Sequence, residues 1–131
     1  MVFLPTSKLK SDPGYDPRWD MVSSELERLC PSCPIEVPFT NRDSTEPYHT
    51  SDRRRDPAEI RDNYDWLGFD QQHVDQVYLI DDVFTTGAHY KAAKHLIHNN
   101  LGEGVDVRGI FWTRHRHDDN DGKIDFSRLL K

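Results

Sequence analysis

Long apolar runs are absent from this sequence of 131 residues. No stretch approaches the roughly 18 consecutive apolar residues that a membrane-crossing helix needs. Met1 to Pro5 contain neither a basic segment nor a long apolar one, so we expect no signal peptide, no membrane partner and a cytoplasmic protein. A mean hydropathy of -0.83 and a charged fraction of 31% are typical of a soluble single domain, over residues 1–131, with long exposed loops.

An excess of basic charge is also missing, because the formal net charge is -6. Nucleic-acid binding depends on Lys and Arg side chains that neutralise phosphates, so this balance weighs against a nucleic-acid partner. The run Arg53-Arg54-Arg55 is a local exception. Taken by itself, such a run is typical of a solvated loop.

Cysteine is scarce, since Cys30 and Cys33 are the only two in the chain. A structural zinc site needs four ligands, and there is no second pair of cysteines to complete one. A redox pair normally lies after a strand, where a helix start lowers the thiol pKa, whereas this pair follows a predicted helix. We therefore expect a turn with two ordinary thiols.

The hydrophobic pattern predicts strands that alternate with helices, which favours an α/β fold with a mainly parallel sheet. Residues 40–56 have no apolar periodicity and are predicted to form a flexible loop, and residues 115–131 form a polar C-terminal tail. The first helix should bury one stripe, made of Met21, Val22, Leu26 and Leu29. The predicted strands are 2–4, 35–39, 77–80 and 105–112, and the predicted helices are 17–29, 57–66 and 88–100.

Residues 77–89 combine an apolar strand, two acids and a hydroxyl-rich turn that leads into a helix. Backbone N–H groups at a helix start are unpaired donors, and the helix dipole favours an anion there. Gly87 lets the backbone approach a phosphate closely. Asp81 and Asp82 would repel that phosphate, but they suit sugar hydroxyls or a hydrated Mg²⁺. The structural alternative is a strand end followed by a capped helix, with both acids solvated.

The segment from Val77 to Gly87 resembles the phosphoribosyl-diphosphate (PRPP) motif of type I phosphoribosyltransferases. That motif has four apolar residues, two acids, two variable residues and then Thr-Thr-Gly. The pattern departs at His89, where the family usually has Thr. Within this family the chain looks most like the phosphoribosyltransferase domain of ComF-like proteins, and the likeness covers most of its length. Weaker matches are Gly14-Tyr15-Asp16, then Arg42, Thr45 and Pro47, and finally Asn63-Tyr64 with Trp66.

The resemblance implies a three-layer phosphoribosyltransferase-like fold, in which helices flank a mainly parallel central sheet. The hood that recognises the acceptor base would be minimal or absent, because few residues precede the first loop. Asp81 and Asp82 would be catalytic, holding the ribose hydroxyls directly and Mg²⁺ through water. The other implied contacts are Thr85, Thr86, Gly87, Ala88 and His89 for the 5′-phosphate, Thr6, Ser7 and Lys8 for pyrophosphate, Arg53, Arg54 and Arg55 in a closing loop, and Trp112 and Arg114 for the acceptor.

The implied activity is transfer of a phosphoribosyl group from PRPP to a nitrogenous acceptor, with Mg²⁺ as cofactor and release of pyrophosphate. A non-catalytic module that senses PRPP or a nucleotide through the same loop is the alternative. The likeness to DNA-uptake proteins suggests a third reading, a partner in nucleic-acid processing, which the acidic charge weighs against. Because related enzymes often dimerise, a homodimer is a further expectation.

Overall fold

The computed structural model describes residues 1–45, 56–84 and 86–114, and of Val83, Phe84 and Arg114 it describes the backbone only. The predictions for Arg53 to Arg55, for Thr85 and for the tail at 115–131 lie outside the described residues. The elements, in chain order, are β1 (Val2–Phe3), α1 (Arg18–Leu29), β2 (Phe39–Asn41), α2 (Pro57–Asp62), β3 (Tyr64–Trp66), β4 (Gln76–Phe84), α3 (Ala88–Leu101) and β5 (Asp106–Arg114).

A parallel sheet of three strands, in the order β1-β4-β5, forms the centre of the described structure. Val2 of β1 pairs with Leu79 of β4, and Val77 of β4 pairs with Val107 of β5. The prediction of a mixed α/β fold with a parallel sheet is therefore confirmed. In addition, β2 and β3 form a separate antiparallel pair. Among the described residues, no helix has the length and apolar composition needed to cross a bilayer.

Most of the core lies on one side of the parallel sheet, which we call the α3 face. Successive side chains of a strand point to opposite sides, so alternate residues of each strand share a face. On the α3 face, strand residues pack against small and branched side chains of α3, with further contributions from α2, β2 and β3. The buried cluster includes Val2, Leu4, Phe39, Ile60, Tyr64, Val77, Leu79, Ala92, Ala93, Ile97 and Val107.

The opposite side of the sheet, the α1 face, is covered much less completely. No residue of α1 is buried, so the predicted stripe was wrong, and Met21 and Leu29 are 71% and 63% exposed. The helix instead contacts the sheet through Trp19, whose ring centroid lies 5.1 Å from that of Phe3 and 5.2 Å from that of Trp112. An aromatic side chain, rather than an aliphatic stripe, thus packs α1 against the sheet.

Two element predictions differ from the structure between residues 35 and 66. The helix predicted over 57–66 ends at Asp62, and the residues after Asn63 form β3. The strand predicted over 35–39 is replaced by β2, which begins at Phe39, because Pro38 has no N–H to donate to a ladder. The two short strands pair with each other, and the rings of Phe39 and Tyr64 stack with centroids 5.1 Å apart.

The flexible loop predicted over 40–56 begins too early, whereas its end at Asp56, the predicted cap of the next helix, is confirmed. Residues 40 and 41 belong to β2, and Thr45 N–H donates to the carbonyl of Ser7 at 2.6 Å. At the other end, the Asp56 side chain accepts a hydrogen bond from the N–H of Ala58 and caps α2. The hydrogen bonds to distant residues explain why a polar segment without apolar periodicity is nevertheless ordered at its start.

The two cysteines are joined as a disulfide, so the expectation of two ordinary thiols was wrong. The expected turn is present, because the N–H of Cys33 donates to the carbonyl of Cys30 at 2.9 Å. This turn brings the two Cα atoms to 5.4 Å, which lies within the range that a disulfide can span.

Candidate functional site

The carboxyl ends of β1 and β4 place two of the predicted binding segments at the same edge of the sheet. The N–H of Leu4 donates to the carbonyl of Ile80 at 2.9 Å, which continues the pairing of the two strands beyond β1. The loop that follows β1 therefore leaves the sheet beside Asp81 and Asp82. Open α/β sheets place their ligands at this edge.

The loop with Thr6, Ser7 and Lys8 is held in shape by the segment that follows β2. The Asn41 side-chain amide donates to the carbonyl of Thr6, and the Thr45 hydroxyl donates to the carbonyl of Ser7 at 3.2 Å. The Thr6 hydroxyl itself donates to the carbonyl of Lys8 at 3.1 Å. Because these bonds use backbone carbonyls, the loop is fixed without consuming its backbone donors.

Helix α3 begins directly behind the acids with an unusual cap. Gly87 is its N-cap, at φ 72° and ψ 16°, a left-handed conformation that a side chain would strain. Glycine offers no side-chain acceptor, so the N-cap residue makes no side-chain hydrogen bond to the first turn. The first backbone N–H groups of α3 have no partner within the helix and form the positive end of its dipole, where an anion can bind.

The Thr86 hydroxyl is a second feature of this helix start. Its oxygen is buried, and it has no hydrogen-bond partner among the described residues. A buried hydroxyl without a partner costs about 1–3 kcal/mol. A ligand with acceptor oxygens at the start of α3 would provide the missing partner.

The two acids of β4 face different environments, because consecutive strand residues point to opposite sides of the sheet. Asp81 lies on the α3 face, and burial raises the pKa of its carboxyl to about 7, with the neighbouring Asp82 charge adding to the rise. The same burial, together with the charge of Asp81, raises the pKa of the buried Tyr64 hydroxyl. Burial on the α3 face therefore favours the protonated form of the Asp81 carboxyl.

Asp82 lies on the more exposed α1 face. One of its carboxylate oxygens is 3.4 Å from the guanidinium Nη2 of Arg18, the first residue of α1. Its backbone carbonyl accepts a hydrogen bond from the Thr113 hydroxyl at 3.2 Å. No sequence pattern predicts the contact with Arg18, because a single Arg at a helix start can have many different surface roles.

His89, a predicted phosphate contact in the first turn of α3, lies beside a buried tyrosine. Its Nδ1 lies 3.1 Å from the hydroxyl oxygen of Tyr64, within hydrogen-bond distance. The ring also lines a polar cavity of about 130 Å³ together with Thr6 and Ser7. The structure therefore brings the predicted pyrophosphate and phosphate segments to one cavity, but it assigns His89 a packing contact as well.

The remaining predicted contacts lie on the α1 side. Lys8 and Thr6 line a second cavity, also of about 130 Å³, whose wall includes Phe3 and Trp19. The Lys8 Nζ is 4.0 Å from a carboxylate oxygen of Asp12. Trp112 is 61% exposed near the end of β5. The backbone of Arg114 ends the same strand.

Within the described residues, no three His, Cys, Asp or Glu side chains are grouped closely enough to hold a metal ion directly. Mg²⁺ commonly keeps several water ligands and needs only one or two carboxylates, so Asp81 and Asp82 have the chemistry to hold it through water.

The described residues thus define a mixed α/β protein with acids, hydroxyls and a helix N-terminus at the carboxyl edge of a small parallel sheet. No family model, curated protein or solved structure matches the chain.

Proposed function

We propose that the chain binds PRPP with Mg²⁺ at the carboxyl edge of the sheet and transfers its phosphoribosyl group to a nitrogenous acceptor, releasing pyrophosphate. In this proposal the fold is a reduced three-layer phosphoribosyltransferase fold, with α1 and α3 as the outer layers and a minimal hood. The resemblance of residues 77–87 to the PRPP motif supports the proposal at the level of sequence.

The observation that carries the proposal is the buried Thr86 hydroxyl, which has no hydrogen-bond partner among the described residues and lies at the start of a helix whose N-cap is a glycine. Two kinds of donor are then available to one anion, this hydroxyl and the N–H groups of the first turn, and the helix dipole favours a negative charge at the same place. A phosphate has enough acceptor oxygens to satisfy them together. A purely structural strand-to-helix turn gives no reason for leaving a buried hydroxyl unpaired.

In this proposal, different parts of the site bind different parts of PRPP. The start of α3 holds the 5′-phosphate, Asp81 and Asp82 accept hydrogen bonds from the ribose hydroxyls, and the loop at Thr6 to Lys8 holds pyrophosphate. Bound Mg²⁺ would neutralise charge on the departing pyrophosphate. Because the sugar becomes positively charged as the bond to pyrophosphate breaks, nearby carboxylates would stabilise the transition state electrostatically.

Calorimetric titration with PRPP and Mg²⁺ tests binding, and Thr86→Val tests the observation that carries it. Valine has nearly the same shape, so removing the unpaired hydroxyl should leave the free energy of unfolding unchanged or raise it slightly, while PRPP affinity falls about tenfold. Thr40→Val, at an exposed position in β2, is the matched control and should change neither quantity. The proposal fails if PRPP gives no heat at millimolar concentration, or if Thr86→Val binds PRPP as the unsubstituted protein does.

The acids are tested by Asp81→Asn combined with Asp82→Asn. We expect a folded protein that no longer binds PRPP, because amides cannot replace two carboxylates as acceptors for the sugar and as anchors for hydrated Mg²⁺. Circular dichroism checks the fold, and retained PRPP binding would refute the role of the acids.

A non-catalytic sensor of PRPP or a nucleotide is the second candidate, and the contact between His89 and Tyr64 favours it. A histidine that is within hydrogen-bond distance of a buried tyrosine has less freedom to adjust its contact with a phosphate during a reaction. Pyrophosphate release separates the two candidates when it is followed with PRPP, Mg²⁺ and a panel of nitrogenous bases. Release above the rate without protein supports the enzyme, whereas PRPP binding without release from any base supports the sensor.

A further inference from the structure

Arg18 reaches from the first turn of α1 to the acid pair of β4. Its guanidinium Nη2 lies 3.4 Å from a carboxylate oxygen of Asp82, and its Nε lies 2.5 Å from one of Asp16. The Asp16 carboxylate also accepts a hydrogen bond from the backbone N–H of Arg18 at 3.0 Å. Asp16, two residues before the helix, therefore holds the guanidinium on the side of the sheet where Asp82 points.

The position of Arg18 is set by its neighbour in the helix. Trp19 packs with its ring centroid 5.1 Å from that of Phe3 in β1 and 5.2 Å from that of Trp112 in β5. These two strands flank β4, so the first turn of α1 is held across the end of the strand that carries the acids. The approach of Arg18 to Asp82 follows from this packing rather than from a chance surface orientation.

The ion pair itself contributes little to folding. The Arg18 and Asp82 side chains are 66% and 36% exposed, and pairs this exposed to water are worth at most about 1 kcal/mol. An exposed guanidinium also keeps donors that its present partners do not use, because it carries five N–H groups in a planar fork. Stability therefore gives a weak reason for placing an arginine at this point.

Ligand chemistry gives a stronger reason. The acid pair lies at the same edge as the loop with Thr6, Ser7 and Lys8, so an anion that binds this loop approaches the charge of Asp82. Arginine pairs with phosphate oxygens through two parallel hydrogen bonds, which lysine cannot reproduce. A cation shared between Asp82 and the arriving anion would remove this repulsion.

We propose that Arg18 is a ligand-binding residue of this site, which pairs with Asp82 in the free protein and with the pyrophosphate group of PRPP in the complex. The exchange releases the Asp82 carboxylate to the ribose hydroxyls or hydrated Mg²⁺. Arg18 therefore makes the site selective for a ribose phosphate that carries pyrophosphate over one that does not. This inference rests on the proposed function and adds a residue of α1 to it.

Arg18→Gln tests the inference when PRPP with Mg²⁺ and ribose 5-phosphate are titrated separately by calorimetry. We expect PRPP affinity to fall about tenfold or more, because charge-assisted bonds to pyrophosphate are lost, while ribose 5-phosphate affinity changes less than about twofold. Arg18→Lys keeps the charge and loses the fork, so its PRPP affinity should lie between those of Arg18→Gln and the unsubstituted protein.

The matched control is Arg28→Gln at the other end of the same helix. Arg28 is 65% exposed and pairs with Glu25 within α1, so it should affect neither ligand. Equal PRPP affinity in Arg18→Gln and the unsubstituted protein would overturn the inference while leaving the proposed function intact. A parallel loss of both ligands would also overturn it, because Arg18 would then act on the site as a whole. If the unsubstituted protein binds neither ligand, the proposed function fails and this inference fails with it.

Discussion

The α3 face and the α1 face of the same three-stranded sheet are built on different principles. On the α3 face, aliphatic strand residues and helix residues are almost fully buried, for example Leu79 at 0% and Ile97 at 0% exposure. On the α1 face, a row of aromatic rings replaces the aliphatic core, and its outer member Trp112 is 61% exposed. Burial of apolar area is the main source of stability, so the α3 face carries most of it.

The comparison also explains the acid pair. Asp81 and Asp82 are neighbours in the chain, yet one points to the buried face and the other to the exposed face. Burial raises the pKa of Asp81, whereas Asp82 meets the guanidinium of Arg18. The two carboxyl groups of the pair therefore lie in different environments, although they are adjacent in the chain.

The largest expected effect is on the α3 face. Leu79→Ala should lower the free energy of unfolding by about 3 kcal/mol, because it removes buried methyl groups and leaves a cavity. Met21→Ala, at a 71% exposed position of α1, is the control and should change it by less than about 0.5 kcal/mol. Urea unfolding measures both, and equal losses would contradict the difference between the faces.

A methyl group added to the α3 side of β5 should also be costly. A Cβ atom at Gly109 would overlap the ring of Phe111 and lie 3.2 Å from a ring carbon of Tyr90. We expect Gly109→Ala to destabilise the protein by about 2 kcal/mol through overpacking. Gly104→Ala has no atom within 4 Å of the added Cβ and serves as the control in the same urea experiment. An unchanged free energy of unfolding in Gly109→Ala would show that the side chains on this face shift more easily than their packing indicates.

Stability should depend on pH through Asp81. Its folded pKa of about 7 lies above the ordinary value of 3.8, so the folded state holds a proton that the unfolded state has released. The contribution of the protonated Asp81 carboxyl to stability is fully present below about pH 4 and is lost as pH rises through about 7. Over this range the free energy of unfolding falls by at most about 1.4 kcal/mol per pH unit. Asp81→Asn should flatten this slope in urea unfolding between pH 4 and 7; an unchanged slope would place the titration elsewhere.

The smallest expected effect is at the outer end of the aromatic row. Trp112→Ala removes an exposed ring that packs edge-on against Trp19, so the free energy of unfolding should fall by less than about 1 kcal/mol. The near-ultraviolet circular dichroism of the remaining tryptophans should change, because Trp19 loses its neighbour. A loss as large as that of Leu79→Ala would mean that the α1 face is a second core.

The sequence predicted the parts of the fold whose pattern is local. The apolar run of β4, the helix that follows it and the strand β5 are all present, with ends that differ by a few residues from those expected. These elements have periodic hydrophobic residues and glycines at their ends, which act over short distances. The helix predicted over 57–66 was wrong at its end, because Tyr64 becomes part of a strand only through pairing with β2, which is distant in the chain.

The site was predictable to the same extent. The acids, Gly87 and the start of α3 follow from one continuous motif, and the structure brings Thr6, Ser7 and His89 to a shared cavity. The contacts of Arg18 with Asp82 and of Tyr64 with His89 join distant segments of the chain. Such contacts depend on how the helices pack on the sheet, and no short-range pattern in the sequence predicts this packing.

The strand order β1-β4-β5 has a consequence for the way the chain assembles. β4, α3 and β5 are consecutive in the chain, so their pairing needs only a short connection to close. β1 joins the other side of β4 from the far N-terminal end, and such long-range pairing is the slower kind to form. We therefore expect β4, α3 and β5 to assemble first. The edge that holds the acids and the loop after β1 would be completed only when the first residues of the chain dock last.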